Sequence, residues 1–257
     1  MSRIKKLFEK KGGCILNVYY TAGFPALDST LGIMRSLQDC GADMIELGMP
    51  YSDPLADGPV IQASSTLALA NGMTIRKLFE QLKDFRKSIH LPVLLMGYMN
   101  PIIQYGFENF CREASSAGID GLILPDLPMF EFENEYGTVI RQYNLDFVFL
   151  VTPETPEDRV KHLDQLSSGF LYAVSSSSTT GKNATLTEQG AYFEKLQNMR
   201  LKNPILIGFG IRDKASFSQA CSYASGAIIG TAFIKTLENA TEEELPLRIK
   251  DFIKSVQ

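Results

Sequence analysis

ELGMPYSDPLADGP, Glu46 to Pro59, is the stretch on which the reading of this chain turns. Asp-Met-Ile leads into Glu46, and a glycine and three prolines follow it, so a buried strand ends here and gives way to a long, rigid loop. Two acids, Glu46 and Asp57, thus fall near a strand end and on the loop behind it. Asp57 before Gly58 could be a turn former, and Glu46 an ion-pair partner. Their position argues for more, because in parallel α/β sheets and barrels the C-terminal strand ends and the loops after them carry the chemistry.

Outward from this stretch, strand-like and helix-like segments alternate along the whole chain. Residues 14–21, 43–48, 92–98, 121–124, 147–151, 170–174, 204–207 and 226–229 have the length and the β-branched, aliphatic and aromatic content of strands. Helical patterns fill 29–40, 75–88, 107–117, 130–143, 156–166, 187–200, 213–223 and 241–255. Eight alternations in 257 residues predict an α/β fold of the (β/α)₈ TIM-barrel type, a single domain over 1–257 with an extra N-terminal helix. In that helix Ile4, Leu7 and Phe8 form the apolar stripe, and Lys5, Lys6, Lys10 and Lys11 the wet face. Two connections exceed the usual few residues. One is the 49–71 region; the other is 175–190, polar and small, read as a lid over a ligand.

Composition narrows the function. A net charge of −4 with 21% charged residues argues against nucleic-acid binding, and no run approaches a membrane span, so a soluble cytoplasmic protein is expected. Cys14, Cys40, Cys111 and Cys221 show no paired spacing and read as reduced structural thiols. Of the two histidines, His90 sits at a strand entrance and His162 in a charged helical segment, so neither a histidine base nor a metal site is expected. Carboxylates must then move the protons. At the far end of the barrel, IGFGIRD (207–213) and IGTAF (229–233) each place a glycine at a strand end before a helix, leaving backbone N–H groups free for an anion, with Arg212 the one cation there.

The strings NVYYTAGFP, IELGMPYSDPLADGPVIQ, LLMGYMNPI, GLILPDLP, IGFGI and IIGTAF, in this order and spacing, resemble the tryptophan synthase alpha subunit family over essentially the whole chain. The resemblance implies a lyase that cleaves indole-3-glycerol phosphate into indole and glyceraldehyde 3-phosphate by a retro-aldol step. It implies Glu46 as the proton-transfer group with a raised pKa, and Asp57 as an ionised acceptor for the indole N–H. Tyr19, Met96, Tyr98 and Tyr172 would surround the indole, and Gly181, Phe209, Gly210, Gly230 and Thr231 would hold the phosphate. Thr180 would be the lid threonine that closes toward Asp57. The two acids are expected to open into one cleft that faces the glycine turns.

No cofactor is implied in this subunit; pyridoxal phosphate (PLP) belongs to a partner beta subunit that receives the indole within an α₂β₂ heterotetramer. Residues 50–54, 100–104 and 128–129 would face that partner. Ser178-Thr179-Thr180-Gly181 stands where the family commonly carries Gly-Val-Thr-Gly, an alteration expected to slow loop closure. The alternative reading is a catalytically weak subunit that mainly activates its beta partner. An indole-glycerol phosphate synthase is disfavoured, since none of the candidate strands ends in a lysine.

Overall fold

A computed structural model of the chain describes residues 2–174, 189–208 and 210–257. The expected lid lies outside the described residues, and with it Thr180, Gly181 and Ser178; Phe209 does too. The strands are β1 (Ile15–Thr21), β2 (Met44–Gly48), β3 (Val93–Met96), β4 (Gly121–Ile123), β5 (Asp146–Phe147), β6 (Leu150–Val151), β7 (Leu171–Val174), β8 (Ile205–Gly208) and β9 (Gly226–Ile229). They form one sheet in the order β5-β4-β3-β2-β1-β9-β8-β7-β6, and every pairing is parallel.

The fifth expected strand accounts for the ninth segment. Its first half, β5, pairs with β4, and its second half, β6, pairs with β7. Between them Val148 N–H donates to Leu122 O (3.1 Å) and Phe149 O accepts from Tyr172 N–H (3.0 Å), so one run of chain joins both ends of the sheet and the barrel closes. Every residue of β1, β2, β7 and β9 is buried, as a sheet covered on both faces requires. Side chains alternate across it. Asn17 and Tyr19 share the inner face with Glu46, whereas Tyr20 points outward and donates its hydroxyl to Thr30 O of the helix Thr30–Cys40 (2.8 Å).

Three expectations change. The 49–71 connection is not all loop: Pro59–Ala70 is a helix with Pro59 in its first turn, burying Ile61, Ser64, Ser65 and Ala68. Its apolar periodicity is weak because two of the buried positions are serines, one of which shares a 2.7 Å hydroxyl contact with Thr21. A further helix, Met99–Tyr105, follows β3. Cys14 and Cys221 are joined as a disulfide, with Cα atoms 5.1 Å apart across 207 residues of sequence. Barrel closure pairs β1 with β9 and brings the two residues to the same strand entrances, a proximity that linear spacing cannot show. Cys40 and Cys111 remain free thiols.

The N-terminal helix, Arg3–Lys11, lies against the N-terminal mouth of the barrel. Ile4 is fully buried, and Arg3 Nη1 donates to Asp120 Oδ1 (2.9 Å), just ahead of β4. Asp120 also accepts from Val93 N–H (2.8 Å) and from the Arg86 guanidinium. Its side chain is 3% exposed, so its removal would strand a half-buried guanidinium and a buried N–H without their acceptor. Asp120→Ala is expected to destabilise the fold by about 3 kcal/mol, read as a fall in the denaturation midpoint with an unchanged m-value; a midpoint at the wild-type position would show that Asp120 is dispensable.

Candidate active site

The C-terminal ends of the strands carry the site. On β2, Glu46 is fully buried between Ile45 and Leu47, and its Oε1 accepts a 2.7 Å hydrogen bond from Asn17 Nδ2 on β1. Among the described residues Oε2 has no hydrogen-bond partner. Burial disfavours the charged form and pushes the Glu46 carboxyl up to about 8, while the Asn17 amide, which favours the carboxylate, holds it below what burial alone would give.

Asp57 lies on the loop before the helix Pro59–Ala70, half-buried. Tyr98, after β3, donates its hydroxyl to Asp57 Oδ2 (3.0 Å) and accepts from Ala56 N–H (3.2 Å), which fixes the carboxylate against the barrel rim. Burial raises Asp57 to about 6, opposed by the Tyr98 hydrogen bond. The two acids thus separate: near neutral pH Asp57 is mainly ionised and Glu46 mainly protonated.

One cavity collects most of the sequence-predicted residues. Tyr19, Met96 and Tyr172 line it together with Asp57, Gly210, Gly230 and Thr231. Tyr98 borders an adjoining cavity that shares Tyr19, Met96 and Asp57 with the first. Glu46 lines neither, so the expectation of two acids opening into one cleft needs correction. Only Asp57 reaches the wall. Glu46 projects from a strand with no exposed residue, and it couples electrostatically to Tyr19 and Tyr172, whose rings line the cavity. Both rings need bare backbone beside them. A Cβ on Gly48 would fall 2.3 Å from the Tyr19 hydroxyl, and one on Gly208 would fall 2.2 Å from a ring carbon of Tyr172.

At the glycine turns Gly210 has φ +76°, a left-handed conformation, and Gly230 caps the helix Thr231–Leu237. Arg212 is exposed and lies 3.6 Å from Asp213, which caps the helix Lys214–Tyr223, and the Arg212 and Asp213 N–H groups both donate to Ser216 Oγ. Among the described residues no group of three or more His, Cys, Asp or Glu gathers as a metal would require, and no helix is long and apolar enough to cross a membrane.

Sequence reasoning missed Asn17, Ile61, Ile211 and Ile228. Asn17 left a signal: it is the lone amide in the otherwise apolar and aromatic strand ILNVYYT, two residues from Tyr19 and so on the same face. The isoleucines left none, since lining a cavity and filling a core call for the same residue type.

Similarity to known proteins runs the length of the chain. The family model described as tryptophan synthase alpha chain matches residues 5–254. The tryptophan synthase alpha chain of Bacteroides thetaiotaomicron is 47% identical over 256 residues, 99% of this chain and 100% of the relative. That of Flavobacterium psychrophilum is 52% identical over 239 residues, 92% of this chain and 94% of the relative. Among solved structures, tryptophan synthase subunit alpha from Legionella pneumophila superposes with a TM-score of 0.91 at 35% identity, covering 100% of this chain and 97% of the other. A chain of tryptophan synthase from M. tuberculosis in its aminoacrylate-bound form gives 0.86 at 28% identity, with both chains covered in full. These matches, over essentially the whole chain, show that the chain belongs to the tryptophan synthase alpha chain family.

Proposed function

We propose that this chain is a lyase that cleaves indole-3-glycerol phosphate into indole and glyceraldehyde 3-phosphate. The observation that carries the reading is a fully buried Glu46 that couples to Tyr19 and Tyr172, the rings of a cavity that Asp57, Gly210, Gly230 and Thr231 also line. Carbon–carbon cleavage next to an indole requires C3 of the ring to gain a proton, after which the breaking bond gives its electron pair to the cationic ring and neutral indole is restored. Glu46 is the acid for that protonation; fully buried and outside the cavity lining, it would have to turn past Tyr19 and Tyr172 to reach C3. Asp57 accepts from the ring N–H and stabilises the positive charge as it develops. The glycerol hydroxyl then loses its proton as the aldehyde forms, and a carboxylate that has just given up a proton is a competent acceptor.

Tyr19, Tyr172, Met96 and Tyr98 offer the flat, polarizable contacts an indole favours. Gly210, Gly230 and Thr231, which line the same cavity, would take the phosphate together with Gly181 and Phe209, and Thr180 would close toward Asp57. The chemistry is acid–base throughout and calls on no cofactor in this subunit.

Indole would pass to a PLP-containing beta subunit, with two copies of each chain in the assembly. The support for a partner is an apolar rim on the same face as the site. Leu55 is 92% exposed, Phe130 70% and Ile103 52%, all in or beside the 50–54, 100–104 and 128–129 segments.

Three outcomes follow. The pH profile of kcat/KM for indole release should be bell-shaped, falling below about 6 as Asp57 takes up a proton and above about 8 as Glu46 loses one. Glu46→Gln should lower kcat by about 10²-fold or more, and a variant with near wild-type turnover would refute the role of Glu46. Ile103→Asp should weaken association with the beta subunit by about tenfold or more while leaving the isolated chain's thermal midpoint in place. Unchanged affinity would place the partner on another face.

A further inference from the structure

We infer that Asn17 is a positioning residue for the proton transfer, its amide clamping Oε1 of Glu46 so that Oε2 is the oxygen that carries and delivers the proton. The inference rests on the reading of Glu46 as the acid and adds a residue to it.

The geometry is specific. Asn17 and Glu46 are both fully buried, on adjacent strands, and Nδ2 donates to Oε1 at 2.7 Å. Asn17 Oδ1 and Glu46 Oε2 are each buried without a partner among the described residues. In the register Tyr19 stands opposite Glu46, so Asn17 reaches the carboxyl diagonally from below, on the side away from the strand end. Tyr19 and Tyr172, which couple to Glu46, and Asp57, which couples to both tyrosines, lie toward the cavity. The neighbouring β3 brings the apolar Leu94 into register with Glu46.

An amide in the middle of a buried strand is costly unless it is hydrogen-bonded, and among the described residues the one hydrogen bond of the Asn17 side chain goes to Glu46. An aliphatic residue would serve the packing better. What the amide supplies is a donor that strengthens when Glu46 becomes charged. In the transfer, the O–H bond at Oε2 breaks and its electron pair stays on Glu46. The new C–H bond at indole C3 takes its pair from the ring double bond, the positive charge spreads to the ring nitrogen, and the carboxylate left behind is held by Asn17 Nδ2–H. The same donor restrains the pKa of Glu46, and among the described residues the carboxyl is held by one oxygen only.

The test is Asn17→Leu, which keeps the side-chain shape and removes the donor, with Asn17→Asp as a second variant that replaces the donor by an acceptor. Both are assayed on indole-3-glycerol phosphate across pH, beside Glu46→Gln, and the Glu46 carboxyl is titrated in each folded protein by difference infrared spectroscopy. The expected result is a lower kcat and an alkaline limb displaced upward by about one pH unit or more, with the infrared midpoint moving by the same amount. An alkaline limb and infrared midpoint at their wild-type positions in either folded variant, with Glu46→Gln inactive, would overturn the role of Asn17 while leaving Glu46 as the acid. Wild-type turnover in Glu46→Gln would instead remove the reading on which the inference rests.

Discussion

A single carboxyl held out of water on a fully buried strand is the constraint around which this molecule is arranged. Glu46 cannot be exposed without breaking β2 out of the barrel, and it cannot be charged cheaply where it is. Its folded-state pKa of about 8 lies above the ordinary 4.5, so the native state holds a proton that the unfolded chain releases between those values. The stability linked to this group is therefore fully present at pH below about 4.5 and is lost as pH rises toward about 8. The fold accepts a penalty at alkaline pH in return for an acid that is still protonated near neutrality. Asn17 limits that penalty with one hydrogen bond, and the strand around it supplies the desolvation that creates it.

The second acid is tuned by the same two effects, burial opposed by one hydrogen bond, at a wetter position. Asp57 stands on a loop, partly wet, and Tyr98 and the Ala56 N–H hold it in a short chain of hydrogen bonds at the barrel rim. The two tyrosines between the acids occupy space made by glycines on the next strand, Gly48 for Tyr19 and Gly208 for Tyr172. The site is thus set by strand register: one residue of slip would turn Glu46 and both rings to the helix side.

Much of this was legible in the sequence because it depends on local signals. The alternation of strand and helix patterns, the strand-end acids and the paired glycine turns are each local signals, and the structure forms the barrel that the alternation predicts, with Glu46 on β2, Asp57 on the loop behind it and Gly210 and Gly230 after β8 and β9. The remainder depends on contacts that linear spacing does not carry. The helix Pro59–Ala70 hid behind buried serines, and the split of the fifth strand is a consequence of closing the barrel. The Cys14–Cys221 bridge joins residues that only β1–β9 pairing makes neighbours. The depth of Glu46 was misjudged for a related reason: its position near a strand end suggested a cavity wall, whereas the rings of Tyr19 and Tyr172 line the cavity in its place.

The most direct measurement is a titration of the chain carrying ¹³C-labelled glutamate carboxyls, in which the Glu46 resonance is identified by its loss in Glu46→Gln. A midpoint near 8 is the result this account predicts. A Glu46 carboxyl that titrates in the ordinary carboxylate range would contradict it, because the group would then be charged at neutral pH with no proton to give.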